Sequence, residues 1–385
     1  MFSNSARNFP QSPAGFAISK VLTIIFMIIV VVELTGCATA PVRLDQDDPD
    51  FVKLVEKKWD TVELSTTTAW VDYDPELETR SKINFVGGIV EIETVLPEDA
   101  SDISEQGRKN IESQTRKIFS VKNHEDYNVL SDQVETGSGE AVTEQNLNQY
   151  IEKEVIPSIE TDQSAYVAKD GVNRLKMKAK LKLISKHVDV RARHYFPMVK
   201  EKAKQYGLSI SLIMAMIHAE SHFNPYARSR GGALGMMQLI PRFGGREAYQ
   251  HVFGEDKIPS KKDLFDAENN ITLGTAYYYL LKSRHFVDED RDLKKRYMAI
   301  SAYNLGPTRV KRIVQQHAAP DMTDGDFFSM LTRNVPRETR NYLKKVIRLI
   351  EKYKTMENAF FIDETGAQRA MAPSNEPLPA EGWAL

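Results

Sequence analysis

The spacing of apolar positions changes near residue 190, from alternation before it to a helical repeat after it. Residues 175–185 alternate strictly, with Met177, Ala179, Leu181 and Leu183 on one face and Lys176, Lys178, Lys180 and Lys182 on the other, which predicts a half-buried strand. The stretch 81–95 reads as a hairpin with Gly87-Gly88 at its turn, and 187–193 as a further strand. Phe51, Leu54 and Val55 predict a short helix, while 97–170 is polar and acid-rich and reads as helices mixed with loops. From Tyr195 on, the stretches 271–281, 296–303, 308–314 and 340–353 carry helical periodicity, and beyond Ala359 a Pro-, Ala- and Glu-rich composition predicts a disordered tail over 359–385. The chain therefore reads as α+β, with a mixed α/β domain over 51–190 and a mainly α-helical domain over 191–358.

The N-terminus bears on location. Arg7 and Lys20 precede an apolar run from Val21 to Val32, too short for a comfortable transmembrane span. The run leads through Glu33 into Leu34-Thr35-Gly36-Cys37, which resembles the lipobox of bacterial lipoproteins. That resemblance implies a signal peptide over 1–36, a lipidated Cys37 and a polar tether over 37–50. With Ala38 after the cysteine, it implies an outer-membrane anchor facing the periplasm of a Gram-negative cell; a short uncleaved membrane anchor is the alternative.

Composition narrows the chemistry. Lys and Arg number 51 against 53 Asp and Glu, so no strong field points to nucleic acid as a partner. Eight histidines are scattered without ligand spacing and there is one cysteine, so neither a metal site nor an internal disulfide is expected, and no cofactor. The lysine stripe could face an anionic wall polymer or lipid headgroups; a solvated sheet face that discourages edge pairing is the simpler reading.

The informative segment is 218–241, HAESHFNPYARSRGGALGMMQLIP. Tyr206-Gly207 reads as a helix stop and Ser209 as the N-cap of the next helix. Leu212, Ile213, Met216 and Ile217 recur at helical spacing, and Glu220 shares their face. Burial disfavours a charged carboxylate, so Glu220 should hold its proton to higher pH than usual, as a general acid must. Periodicity alone leaves this open against a Glu at a frayed helix end paired with Arg228.

The flanking residues decide between them. Glu220-Ser221-His222-Phe223-Asn224-Pro225 with Ala227 and Ser229, the run from Gly232 to Pro241, Asn270-Ile271 with Gly274-Thr275-Ala276-Tyr277, Ala302-Tyr303-Asn304 with Gly306, and Glu338-Thr339-Arg340-Asn341-Tyr342 stand in order along the chain. Together they resemble the lytic transglycosylase (SLT, goose-lysozyme-like) family, with Met236 as a conservative departure. The hairpin at 82–88 resembles the N-terminal domain of a membrane-bound branch of that family.

The resemblance implies a lysozyme-like helical domain and a lyase that cleaves peptidoglycan between N-acetylmuramic acid and N-acetylglucosamine without water, leaving 1,6-anhydro ends. Glu220 would be the sole catalytic acid and base. Ser229, Met237, Gln238, Tyr303 and Asn304 would contact the glycan, Glu338 the stem-peptide amine, and Tyr342 the groove wall. The implied partners are peptidoglycan strands, the outer membrane through lipid, and other cell-wall enzymes. A typical glycosidase needs two carboxylates; Asp263, Asp266 and Glu268 read as helix-capping acids, which leaves Glu338 as the only rival to Glu220. The alternatives are a goose-type muramidase that uses water and a non-catalytic wall-binding lipoprotein. Gly232 and Gly235 read as backbone turns.

Overall fold

The computed structural model describes residues 45–123, 127–162 and 164–371. The expectations for the signal segment, Cys37 and the first part of the tether lie outside the described residues, as does 372–385.

The fold is α+β. Its N-terminal part runs α1 (Pro49–Lys58), β1 (Ala69–Tyr73), β2 (Thr79–Asn84), β3 (Ile89–Pro97), α2 (Ile103–Ser120), α3 (Leu147–Tyr150), β4 (Glu160–Thr161), β5 (Tyr166–Val167) and β6 (Asn173–Lys182). All the strand pairs are antiparallel, in the order β1-β2-β3-β6, with β4 and β5 pairing successively on the outer edge of β6. Ile83 faces Val90 and Asn84 faces Ile89, so the β2–β3 turn falls where Gly87-Gly88 predicts it. One sheet face packs Ile83, Val90, Ile92, Ala179 and Leu181 against Ile111 and Ile118 of α2; the other packs Val71, Tyr73 and Val95 against Phe51 and Val55 of α1.

The lysine stripe of β6 is neither bare nor simply solvated. Lys176 pairs with Asp60 at 3.0 Å, Lys178 with Glu160 at 3.4 Å and Lys180 with Glu91 at 3.1 Å. The acids neutralise a face that the sequence alone left open to anions. Such exposed pairs contribute little stability each, so their main effect is on charge and register.

The helical part follows as α4 (His187–Gln205), α5 (Ile210–Ser221), α6 (Arg246–Phe253), α7 (Lys261–Phe265), α8 (Ala267–Leu280), α9 (Asp292–Leu305), α10 (Pro307–His317), α11 (Asp324–Asn334) and α12 (Arg337–Met371). Residues 187–193, read above as a strand, open α4 instead. His187, Arg191, Ala192, Tyr195, Phe196, Val199 and Ala203 are its buried positions, a helical repeat that outweighs the local alternation of Val188 and Val190. The helix α12 likewise continues past Ala359, where composition predicts a disordered tail.

Helix α5 is the centre of this part. Ser209 caps it, its hydroxyl accepting from the Leu212 N–H at 3.2 Å. Every residue from Ile210 to Ile217 is buried, so the helix has no solvent face rather than the single apolar stripe that the spacing suggests. The helices α4 and α12 cover it, α12 contributing Leu343, Val346, Ile350 and Tyr353 to the common core. The Tyr353 hydroxyl bonds to Nδ1 of His218 at 2.7 Å, and burial pushes that imidazole down to about 3, so it stays neutral. Among the described residues no helix is long and apolar enough to cross a membrane.

Candidate active site

Glu220 occupies the last turn of α5, with His222 and then Phe223 in left-handed backbone conformation (φ 54° and 62°). The residue keeps some exposure to solvent, yet protein crowds its carboxyl on almost every side. Burial raises its pKa to about 7. The Tyr342 hydroxyl and the Lys345 ammonium oppose that shift, and the charge of Glu338 adds to it. Glu220 therefore exchanges its proton near neutral pH.

Two phenols surround the carboxyl. Tyr303, near the end of α9, donates to the Met237 carbonyl at 2.8 Å. Tyr342 interacts with Glu220 and makes no other hydrogen bond of ordinary geometry among the described residues. Burial, then the charge of Glu220, holds both phenols well above their usual range, so both are neutral donors. Lys345 donates to the Ala219 carbonyl at 2.9 Å, satisfying an open carbonyl at the C-terminal end of α5 with a cation beside Glu220. It was missed in the sequence, although it stands three residues beyond Tyr342 and seven beyond Glu338, on one face of α12. Glu338 is exposed in the first turn of α12; its charge reaches Glu220 without burial of its own.

The loop 227–239 forms the facing side. Ser229 closes a tight turn, its hydroxyl accepting from the Ala233 N–H at 2.9 Å and its own N–H donating to the Ala233 carbonyl at 3.0 Å. Gln238 adopts φ 49° and its amide donates to the carbonyls of Gly235 at 2.9 Å and Ala227 at 3.2 Å. Hydrogen bonds of both side chains stay within the loop and leave the Ser229 hydroxyl proton and the Gln238 carbonyl oxygen unused among the described residues. Met237 is buried: its side chain is 0% exposed and packs where Gly274 has no Cβ, which would otherwise stand 2.4 Å from the sulfur. Asn304 is exposed and accepts from the Thr339 hydroxyl at 2.6 Å, joining the end of α9 to the start of α12.

A further residue whose role the sequence left unread is Asn270. Its buried amide accepts from the Met237 N–H at 2.7 Å and donates to the carbonyls of Leu264 at 2.8 Å and Leu234 at 3.0 Å. Gly235 (φ 76°) runs so close beneath it that a Cβ there would stand 2.1 Å from both the amide nitrogen and the Leu264 carbonyl. Asn270 thus pins the loop that carries Gln238 and the partner carbonyl of Tyr303. Among the described residues no group of three His, Cys, Asp or Glu comes together to hold a metal ion.

A helix-embedded acid, two neutral phenols and a pinned loop beside them bring together the groups that acid–base chemistry uses. Residues 197–324 match the transglycosylase SLT domain, a stretch that contains Glu220, Ser229, Met237, Gln238, Tyr303 and Asn304 but stops before Glu338 and Tyr342. The class is thus that of the SLT-domain transglycosylases. The chain is 31% identical over 318 residues to membrane-bound lytic murein transglycosylase C of Photorhabdus laumondii, covering 77% of this chain and 86% of that protein. It is 30% identical over 322 residues to the protein of the same name from Yersinia pestis, covering 79% and 88%, and 38% identical over 181 residues to that of Pectobacterium atrosepticum, covering 45% and 50%. The chain belongs to the family of membrane-bound lytic murein transglycosylase C.

Proposed function

We propose that the protein is a lipid-anchored peptidoglycan lyase that cuts the N-acetylmuramic acid to N-acetylglucosamine bond and closes a 1,6-anhydro ring. The observation that carries this reading is Glu220, a carboxyl enclosed at the end of α5 beside Tyr303 and Tyr342, with Glu338, the acid whose charge reaches it among the described residues, exposed to solvent. In the first step Glu220 gives its proton to the glycosidic oxygen, the C1–O bond breaks, and the substrate's acetamido group supports the positive charge at C1. Glu220 is then a carboxylate, stabilised by Tyr342 and Lys345. In the second step it takes the proton of the C6 hydroxyl, whose oxygen bonds to C1. The residue ends as it began, and no water enters. A pKa near 7 suits both halves, because neither protonation state is strongly disfavoured.

The loop residues Ser229 and Gln238 would hold the sugars with their unused polar atoms, and Tyr303 and Tyr342 would orient the acid. The exposed Asn304, held by Thr339, would contact the glycan, the buried Met237 would act through Tyr303, and Glu338 would meet the stem peptide. Digestion of purified sacculi, with products separated by mass, tests the whole reading. Anhydro-muropeptides are expected, at a kcat/KM that falls as pH rises above about 7, because the first step needs the protonated acid. Reducing ends in place of anhydro ends would make the enzyme a muramidase, and no products at all a binding protein. For the anchor, Cys37→Ala is expected to abolish lipid labelling of the full chain, and persistent labelling would remove the lipobox from the proposal.

A further inference from the structure

Arg191 carries a guanidinium that the chemistry above does not use. It is 2% exposed and, among the described residues, no carboxylate pairs with it. Its partners are neutral acceptors from separate segments: the Phe85 carbonyl in the β2–β3 turn at 2.8 Å, the Gln133 side chain, Nδ1 of His187 at 3.1 Å and the His222 carbonyl at 3.2 Å. Burial, and then the Arg191 charge, keeps His187 down at about 4, so its imidazole is neutral and able to accept. An unpaired buried cation is costly to desolvate, and it persists only where its hydrogen bonds are nearly complete.

The last of those partners is the telling one. His222 is the second residue after Glu220, and with Phe223 it holds two consecutive left-handed conformations that side chains disfavour. Such a turn keeps its shape only when its surroundings impose it. The imposing contacts come largely from the N-terminal domain. Arg191 ties the His222 carbonyl to Phe85, Asn224 donates toward the carbonyls of Thr66 and Thr67 at 3.4 and 3.5 Å, and Arg228 donates its N–H to Thr66 at 3.2 Å. Tyr226 lies against Trp70 with ring centroids 4.5 Å apart. Here the sheet domain grips the chain that leaves the acid.

We propose that the N-terminal sheet domain acts on catalysis, with Arg191 as the positioning residue through which it fixes the turn ending α5 and so the direction of the Glu220 carboxyl. The inference rests on the lytic reading above. It gives the sheet domain a part in the turnover step rather than in holding the wall.

Its test uses the full-length protein, with kcat and KM on glycan strands measured beside melting curves. Arg191→Lys keeps the charge but cannot reach four acceptors at once. Its kcat is expected to fall by roughly tenfold or more, since small misplacements of a reacting group are costly, with KM within about twofold of the wild type. Adding His222→Gly should restore most of that kcat, because glycine takes the left-handed conformation without being forced. A merely structural Arg191 predicts the reverse, a further loss with the more flexible chain. Wild-type kcat in folded Arg191→Lys, a loss confined to KM, failure of the glycine to restore turnover, or failure of both variants to fold would each overturn the proposal. A wild-type protein without turnover would count against the lytic reading instead.

Discussion

Glu220→Gln should reduce release of anhydro-muropeptides by roughly a thousandfold or more, because it removes both the proton donor and the base that returns. The amide is nearly isosteric, so binding to sacculi should stay within about twofold of the wild type. Stability supplies a second, independent readout. The folded carboxyl holds its proton up to about pH 7, whereas in the unfolded chain it releases it near 4.5. Between those values the folded state binds the extra proton, so this group's contribution to stability declines as pH rises through the window. Gln carries no such penalty. Glu220→Gln should therefore be more stable than the wild type above pH 7, by on the order of 1–3 kcal/mol after allowance for the residue's partial exposure, with the gap closing toward pH 4. A variant that cleaves at wild-type rate removes Glu220 from the chemistry. One that is inactive but shows no pH-dependent gain in stability contradicts the burial that raises its pKa.

The same residue shows how far the sequence carried the structure. Local signals were legible where the cause was local. The Ser209 cap, the Gly87-Gly88 turn and the alternation of β6 all depend on residues a few positions apart, and each appears as expected. The raised pKa of Glu220 also follows from its place on an apolar helix, although the helix turned out to be buried on all sides because α4 and α12 enclose it. What stayed hidden came from distant segments. Lys345 reaches Ala219 across 126 positions, and Arg191 reaches Phe85 across 106. No periodicity reports such a meeting. The residues 187–193 failed for a related reason: their alternation is local, but the buried face that makes them helical continues through Val199.

Asn270→Ala is expected to be the most damaging change outside the acid itself. Its amide serves three backbone groups in a fully buried place, and two of them belong to the loop that faces Glu220. Truncation strands the buried Met237 N–H, while the Leu234 carbonyl keeps its bond from the Leu239 N–H at 3.1 Å. The unsatisfied donor together with the small void should cost about 2–4 kcal/mol, seen as a melting point lower by roughly 5–10 °C. Activity should fall further than the folded fraction does. The Met237 carbonyl anchors the Tyr303 hydroxyl, so slack at Met237 passes to the phenol that feels the Glu220 charge. Displacement by about 1 Å there can lower kcat by about a hundredfold. Asn270→Asp separates the two effects, since it can still accept from Met237 but loses both donors and brings a negative charge toward the Leu234 and Leu264 carbonyls. It should be at least as unstable as the alanine variant. Wild-type melting and wild-type kcat in Asn270→Ala would mean that the loop holds itself, through Gly235 and its own turns, without the amide beneath it.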